Sequence, residues 1–303
     1  MERGSALATV RDSSGFGRSV LGRARERLHS MMLRVTGEDF DERVRRLAAQ
    51  RPADHFDPFG LDLEWAKYAL MAMSVLHRFY FRVETHGIEH VPSGRVLLIA
   101  NHSGQVPIDA AIIASTMFYN GDPPRAVRSM VEKWSQTLPV VSTFFARCGQ
   151  VVGVPENAAR LLESDEALLV FPEGVKGINK PFSQRYQLQE FGLGFMRLAL
   201  ETDAPIVPIA LVGAEEQYIN VGNLSNVARA LGMPSFPIIP QMLVPGGALP
   251  LPTKYHIYFG EPLRVHGDPD DEDAVIGTKV ELVRQTIQSM ISRGLKERKH
   301  VFW

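Results

Sequence analysis

A histidine seven positions ahead of an aspartate, where an apolar run gives way to a polar one, is the first place in this sequence that could do chemistry. The run Arg95-Val-Leu-Leu-Ile-Ala100 leads straight into Asn101-His-Ser-Gly-Gln-Val-Pro-Ile-Asp109. The end of a strand, just before a helix, is where α/β folds put ligands. Pro107 suits a first helical turn and puts Asp109 in that turn. A carboxylate bonded to one imidazole nitrogen fixes the tautomer and supports the imidazolium, leaving the other nitrogen to take a proton from a hydroxyl. Such general-base help is worth roughly 10² to 10⁴ in rate. No serine or cysteine nucleophile is required if the hydroxyl is the substrate's own. Alone, the pair is more often a satisfied structural one, so its meaning depends on what accompanies it.

What accompanies it is Leu168-Leu-Val-Phe-Pro-Glu-Gly-Val-Lys-Gly177, an apolar strand that ends by presenting Glu173, a flexible Gly174 and the cation Lys176. Gly174 and Gly177 would let backbone amides approach an anion, and Lys176 would add charge. Glu173 could hold a polyol hydroxyl, and Arg185 could also reach a phosphate. Other chemistries lack their residues. Gly192-Leu-Gly194 has Arg197 where a dinucleotide fingerprint needs its third glycine. There is no Gly-x-Ser-x-Gly elbow. The nine histidines form no His-Glu-x-x-His, so no metal is expected. The single cysteine, Cys148, excludes an intramolecular disulfide framework and a cysteine-rich zinc site, and reads as a small core residue.

The elements that must position these groups alternate strand and helix from about residue 79 onward. Strands are expected at Phe79–His86, Arg95–Ala100, Arg125–Val131, Gly149–Val154, Ala167–Phe171, Ile206–Val212 and Lys254–Gly260. Helices are expected at Ile108–Phe118, Glu132–Phe145, Glu156–Leu162, Glu190–Thr202 and Asp273–Ser292. This is an α/β fold with a mixed, mostly parallel sheet of about seven strands flanked by helices. Between Ala230 and Thr253 the prolines forbid regular structure, yet Phe236, Ile238, Ile239, Met242 and Leu243 are apolar. Such a loop either packs over an apolar cavity or touches a membrane.

Ahead of the α/β region, 1–18 reads as a flexible tail and 19–78 as a helical arm, leaving 79–303 as the main domain. From Ser19 to Val35, apolar residues recur at helical spacing with Arg23, Arg25, Arg27 and Arg34 between them. That pattern suits an anionic membrane surface and equally suits a helix docked on the domain with a solvated basic face. A second helix is expected near Glu38–Gln50. A third, Leu61–Arg78, is apolar nearly all round, so it is buried or dipped into lipid. No apolar run approaches the roughly 20 residues that a membrane span needs, and the start of the chain lacks a signal-peptide pattern. The expected place is therefore peripheral, at the cytoplasmic face of a membrane. With 33 basic and 34 acidic residues, a nucleic-acid partner is not expected. Hydrophobic residues at 45% are enough for a folded core.

The two motifs, in this order, resemble the PlsC-like glycerolipid and lysophospholipid acyltransferase superfamily. Its Asn-His followed by Asp is matched by Asn101, His102 and Asp109. Its Phe-Pro-Glu-Gly-Thr-Arg is matched by Phe171, Pro172, Glu173 and Gly174, with Val175 and Lys176 in the last two places. Its strand with Val-Pro near the middle looks like Ile206-Val207-Pro208-Ile209-Ala210. The resemblance covers roughly residues 80–262. It implies His102 as base, Asp109 as its partner, Glu173 as an acceptor-binding group and Lys176 as a phosphate contact.

Three departures stand out. Six residues separate His102 from Asp109, a longer spacing that looks like the branch related to mono- and diacylglycerol acyltransferases. The block Gly149-Gln-Val-Val-Gly-Val-Pro-Glu-Asn157 lacks the family's arginine, and Lys176 keeps charge but loses bidentate geometry. The implied reaction moves a fatty acyl group from acyl-CoA or acyl carrier protein to a glycerolipid hydroxyl, lysophosphatidate foremost, with the thioester as co-substrate and no cofactor. Backbone amides near the motifs would meet the oxyanion. The helix Leu61–Arg78 and the Phe236–Leu243 loop would house acyl chains. The alternatives are a neutral acceptor such as diacylglycerol, or a non-catalytic lipid-binding module.

Overall fold

The structure, a computed structural model, describes residues 35–51, 57–103, 108–131, 139–230 and 236–303. The tail at 1–18 and the basic helix at Ser19–Val35, save its last residue, lie outside the described residues. So do 104–107, within the motif, and the first seven residues of the helix expected at Glu132–Phe145. The chain divides into two units, Met1–Phe40 and Asp41–Trp303, and the site lies in the second.

Seven strands form one sheet: β1 (Glu84–His86), β2 (Val96–Ala100), β3 (Val127–Val131), β4 (Val151–Val152), β5 (Ala167–Val170), β6 (Ile206–Val212) and, after a two-stranded ribbon of β7 (Gly222–Asn223) with β8 (Pro237–Ile238), β9 (His256–Phe259). Their spatial order is β1-β9-β6-β2-β5-β3-β4. Every pairing is parallel except that of β6 with β9, which makes the sheet mixed and mostly parallel as expected.

The central strand β2 is apolar throughout because both of its faces are covered. Successive side chains point to opposite faces. Leu97 and Ile99 pack with helices Pro155–Glu163, Gly194–Thr202 and Asp273–Glu297. Val96, Leu98 and Ala100 pack with helix Ile108–Tyr119 and with the end of helix Leu63–Val75. The result is a helix–sheet–helix sandwich.

Most expected elements recur, most strands shorter than expected; one segment differs in kind and one helix starts later. In place of a strand starting at Phe79, the chain continues helix Leu63–Val75 into a π-helical turn, Leu76–Tyr80. Phe81 N–H donates to the Leu76 carbonyl, and strand pairing starts only at Glu84. The helix expected from Glu190 starts at Gly194, because Gln189 N–H donates to Glu173 and Gly192 N–H to the Pro172 carbonyl. Those bonds tie residues 189–192 to the second motif.

Candidate active site

Parallel register brings the two motifs together. Val96 to Ile99 of β2 face Ala167 to Val170 of β5, so Asn101-His102 and Phe171-Pro172-Glu173 leave adjacent strands at the same end. Asn101 locks the exit of β2: its carbonyl accepts from Leu211 N–H at 2.7 Å and its amide donates to the Leu211 carbonyl at 3.1 Å. Leu211 lies on β6, so the side chain extends the ladder where main chain no longer can.

His102 Nδ1–H donates to Asp109 Oδ2 at 2.6 Å, short enough for a charge-assisted bond. Asp109 is wholly buried in the first turn of helix Ile108–Tyr119, where the helix dipole favours a negative charge. It also accepts the main-chain N–H of Ser103 at 2.9 Å and of Ala110 at 2.8 Å. Both of its oxygens are thus fixed, and with them the ring. This tautomer leaves His102 Nε2 as the acceptor. Phe171 stacks on the imidazole, with centroids 4.2 Å apart and planes 18° from parallel.

The ring keeps 18% of its side-chain surface exposed and lines a cavity of about 920 Å³, at the large end for small-molecule sites. Helix Leu63–Val75 supplies one wall through Ala66, Ala69 and Met73, and Ala111 and Ala114 supply another. Gly174, Val175 and Ile178 close it on the side of the second motif. Gly174 adopts φ 53°, ψ −142°, a conformation open essentially to glycine alone.

The expected wall from the Phe236–Leu243 loop is absent: no described residue of that loop lines the cavity, and Met242 and Leu243 are exposed. Cys148 does line it, half-buried, and burial pushes its thiol up to about 11. That keeps it protonated and unreactive at neutral pH.

The remaining expected residues fall differently from the readings given to them. Glu173 is 3% exposed, with both oxygens engaged by the protein. Its Oε1 accepts His102 N–H at 3.0 Å, and its Oε2 accepts Gln189 N–H at 2.8 Å beside Lys180 Nζ at 3.3 Å. It grips the main chain of the base instead of presenting itself to an acceptor. Lys176 points away, 67% exposed and paired with Glu190 at 3.1 Å. Arg185 is exposed, its guanidinium over the Phe182 ring. Neither cation lines the cavity. The amides of His102, Ser103, Gly174 and Gly177 all donate within the protein.

Lys180 and Glu215 were missed. Their only signal in the sequence is a lysine seven residues after Glu173 and a Glu-Glu pair after the Val-Pro strand, neither of which names a partner. Among the described residues, one group offers ligands for a metal, Glu84, His86 and His256 at the β1–β9 edge, and there Glu84 is already paired with Lys254.

Residues 82–212 match the family described as Acyltransferase. An uncharacterized protein of Mycobacterium leprae, ML2427, is 36% identical over 255 residues, covering 82% of this chain and 70% of that one. A mouse protein named DGAT1/2-independent enzyme synthesizing storage lipids is 22% identical over 210 residues, covering 69% of this chain and 60% of that one. Among solved structures, the crystal structure of the 1-acyl-sn-glycerophosphate (LPA) acyltransferase, PlsC, from Thermotoga maritima superposes with a TM-score of 0.48 at 17% identity, covering 78% of this chain and 80% of that one. With a histidine–aspartate pair at the strand ends of an α/β sheet, this chain belongs to the PlsC-like glycerolipid acyltransferase superfamily and is an O-acyltransferase.

Proposed function

We propose that the protein transfers a fatty acyl group from a thioester, acyl-CoA or acyl carrier protein, to a glycerolipid hydroxyl, with His102 as base and Asp109 as its orienting partner. The observation that carries this reading is the 2.6 Å bond between His102 Nδ1 and Asp109 beside the large apolar cavity. His102 Nε2 takes the hydroxyl proton as the acceptor oxygen bonds to the thioester carbon. The carbon–sulfur bond then breaks, and the leaving thiolate recovers the proton from the imidazolium. The activated acyl group arrives on its carrier, so the step requires no further cofactor. The cavity would take the acyl chain, since its walls are alanine, leucine, methionine and phenylalanine.

Lysophosphatidate is the acceptor that the motif resemblance favours. The positions of Lys176 and Arg185, both off the cavity, favour a neutral acceptor such as diacylglycerol, and the name of the mouse relative points the same way. A panel of lyso- and neutral lipids with isotope-labelled acyl-CoA, read by mass spectrometry, separates them. Labelled phosphatidate supports the first, and labelled triacylglycerol the second. Release of CoA without any labelled lipid product would mark a thioesterase and overturn both.

Among the described residues, no helix is long and apolar enough to cross a membrane. We place the enzyme peripherally at a lipid surface, at the cytoplasmic face of a membrane, where a lipid acceptor would be met. Supporting this are the exposed Trp65, Tyr68 and Phe144, which also line the cavity.

A further inference from the structure

We propose that Lys180 is a positioning residue for acyl transfer: held between Glu173 and Glu215, it fixes the carboxylate that grips the main chain of His102. This inference rests on the reading of His102 as the base.

The ammonium is almost fully buried, with Nζ 3.3 Å from Glu173 Oε2, 3.1 Å from Glu215 Oε1 and 3.3 Å from the Gln187 carbonyl. Two of these are hydrogen bonds, to Glu215 and to the Gln187 carbonyl, and the contact with Glu173 is an ion pair. Asn220 holds the Lys180 carbonyl at 3.2 Å, and Glu215 is held in turn by Tyr186 N–H at 2.9 Å. The chain of contacts therefore runs from β6's exit loop through Glu215, Lys180 and Glu173 to the amide of His102.

Electrostatics make the lysine necessary to this arrangement. Glu173 and Glu215 are two buried carboxylates that share one cation, and a buried charge is tolerated only when paired. Burial already pushes the Glu215 carboxyl above its usual range, with Lys180 pulling it back down. Without the ammonium, two desolvated carboxylates would face each other with no cation between them, and their repulsion would draw Glu173 off the two amides it now holds. Gly177 packs where a Cβ would stand 2.8 Å from Glu173 Cβ and 3.0 Å from His102 Cβ. The two side chains are thus in one close-packed group, and a shift of Glu173 is passed to the base. A displacement of about 1 Å costs on the order of 10² in rate.

Steady-state kinetics on Lys180→Met, Glu173→Gln and the double variant test this, with near-UV circular dichroism as the check on fold. Each single variant is expected to lose roughly 10- to 100-fold in kcat, with KM for donor and acceptor held within about twofold. The double variant is expected to be no slower than the worse single one, because the lysine acts through Glu173. Losses that multiply would overturn the inference, as would a folded Lys180→Met within about threefold of the parent in kcat. Should Lys180→Met fail to fold, Glu215→Gln replaces it. That isosteric change is expected to lower kcat about three- to tenfold at constant KM, non-additively with Glu173→Gln, and parental kcat would count against the inference. His102→Ala distinguishes the levels. If it stays active, the reading of the base fails; if it is inactive while Lys180→Met is not, only the positioning role fails.

Discussion

Gly177 leaves no space for a methyl group between Glu173 and His102. Replacing it by alanine must push one of the two aside, either His102 itself or the Glu173 carboxylate that holds its main chain. Gly177→Ala is expected to fold and to lose at least about tenfold in kcat, measured with saturating donor and acceptor; a parental rate would show that the contact does not position the base. The dyad itself could be read in the sequence, because its two members sit seven residues apart across one strand–helix junction. The role of Glu173 could not. It depends on Gln189 and Lys180 folding back beside it, and nothing local to Phe171-Pro-Glu-Gly174 encodes that return. The place of Lys176 was no more legible: the short helix Val175–Ile178 turns it outward to Glu190.

Between residues 63 and 81 a single helical element both walls the cavity and meets the sheet. Its end, Phe79-Tyr80-Phe81, favours a strand by local propensity. Tertiary packing wins instead: Phe81 is fully buried against Tyr255, and the chain turns only at Arg82, at φ 45°. Near that turn His77 is buried, with Nε2 3.1 Å from Thr116 Oγ1 on the facing helix Ile108–Tyr119. Burial, with help from the Arg78 charge, lowers its pKa from 6.5 to about 4. The unfolded chain therefore takes up this proton at a higher pH than the folded one. The stability from the neutral ring is complete above about pH 6.5 and is lost as the pH falls toward 4. The shift corresponds to about 3 kcal/mol at most. Urea unfolding at pH 7 and pH 4.5 should show a smaller acid loss in His77→Gln than in the parent. Equal losses would mean that the ring is not the group responsible.

Across the whole molecule, three segments far apart in sequence share one clasp. The Arg82 guanidinium donates to the carbonyls of Phe79, Tyr80, Pro252 and Phe302. Tyr80 Oη–H donates to the Pro250 carbonyl at 2.5 Å. Around it Phe79, Leu249 and Trp303 are exposed, and Leu243 on the same loop is 88% exposed. Exposed apolar side chains on these segments fit the peripheral membrane contact proposed above. Co-flotation with phospholipid vesicles is expected for the parent and lost for a triple variant, Phe79→Ser/Leu243→Ser/Trp303→Ser. A triple variant that still floats like the parent would remove this face from the membrane contact. The layer architecture was legible because apolar runs and their helical intervals repeat along the chain. This surface was not, since it exists only where the turn, the loop and the C-terminus converge.

The imidazole at 102 carries the whole reaction scheme, and its removal is the most direct trial. Transfer of labelled acyl groups by His102→Ala, at a near-UV dichroism spectrum matching the parent, is expected to fall by at least about 10² to 10⁴. A well-folded variant that transfers within about tenfold of the parental rate would contradict general-base catalysis by this residue.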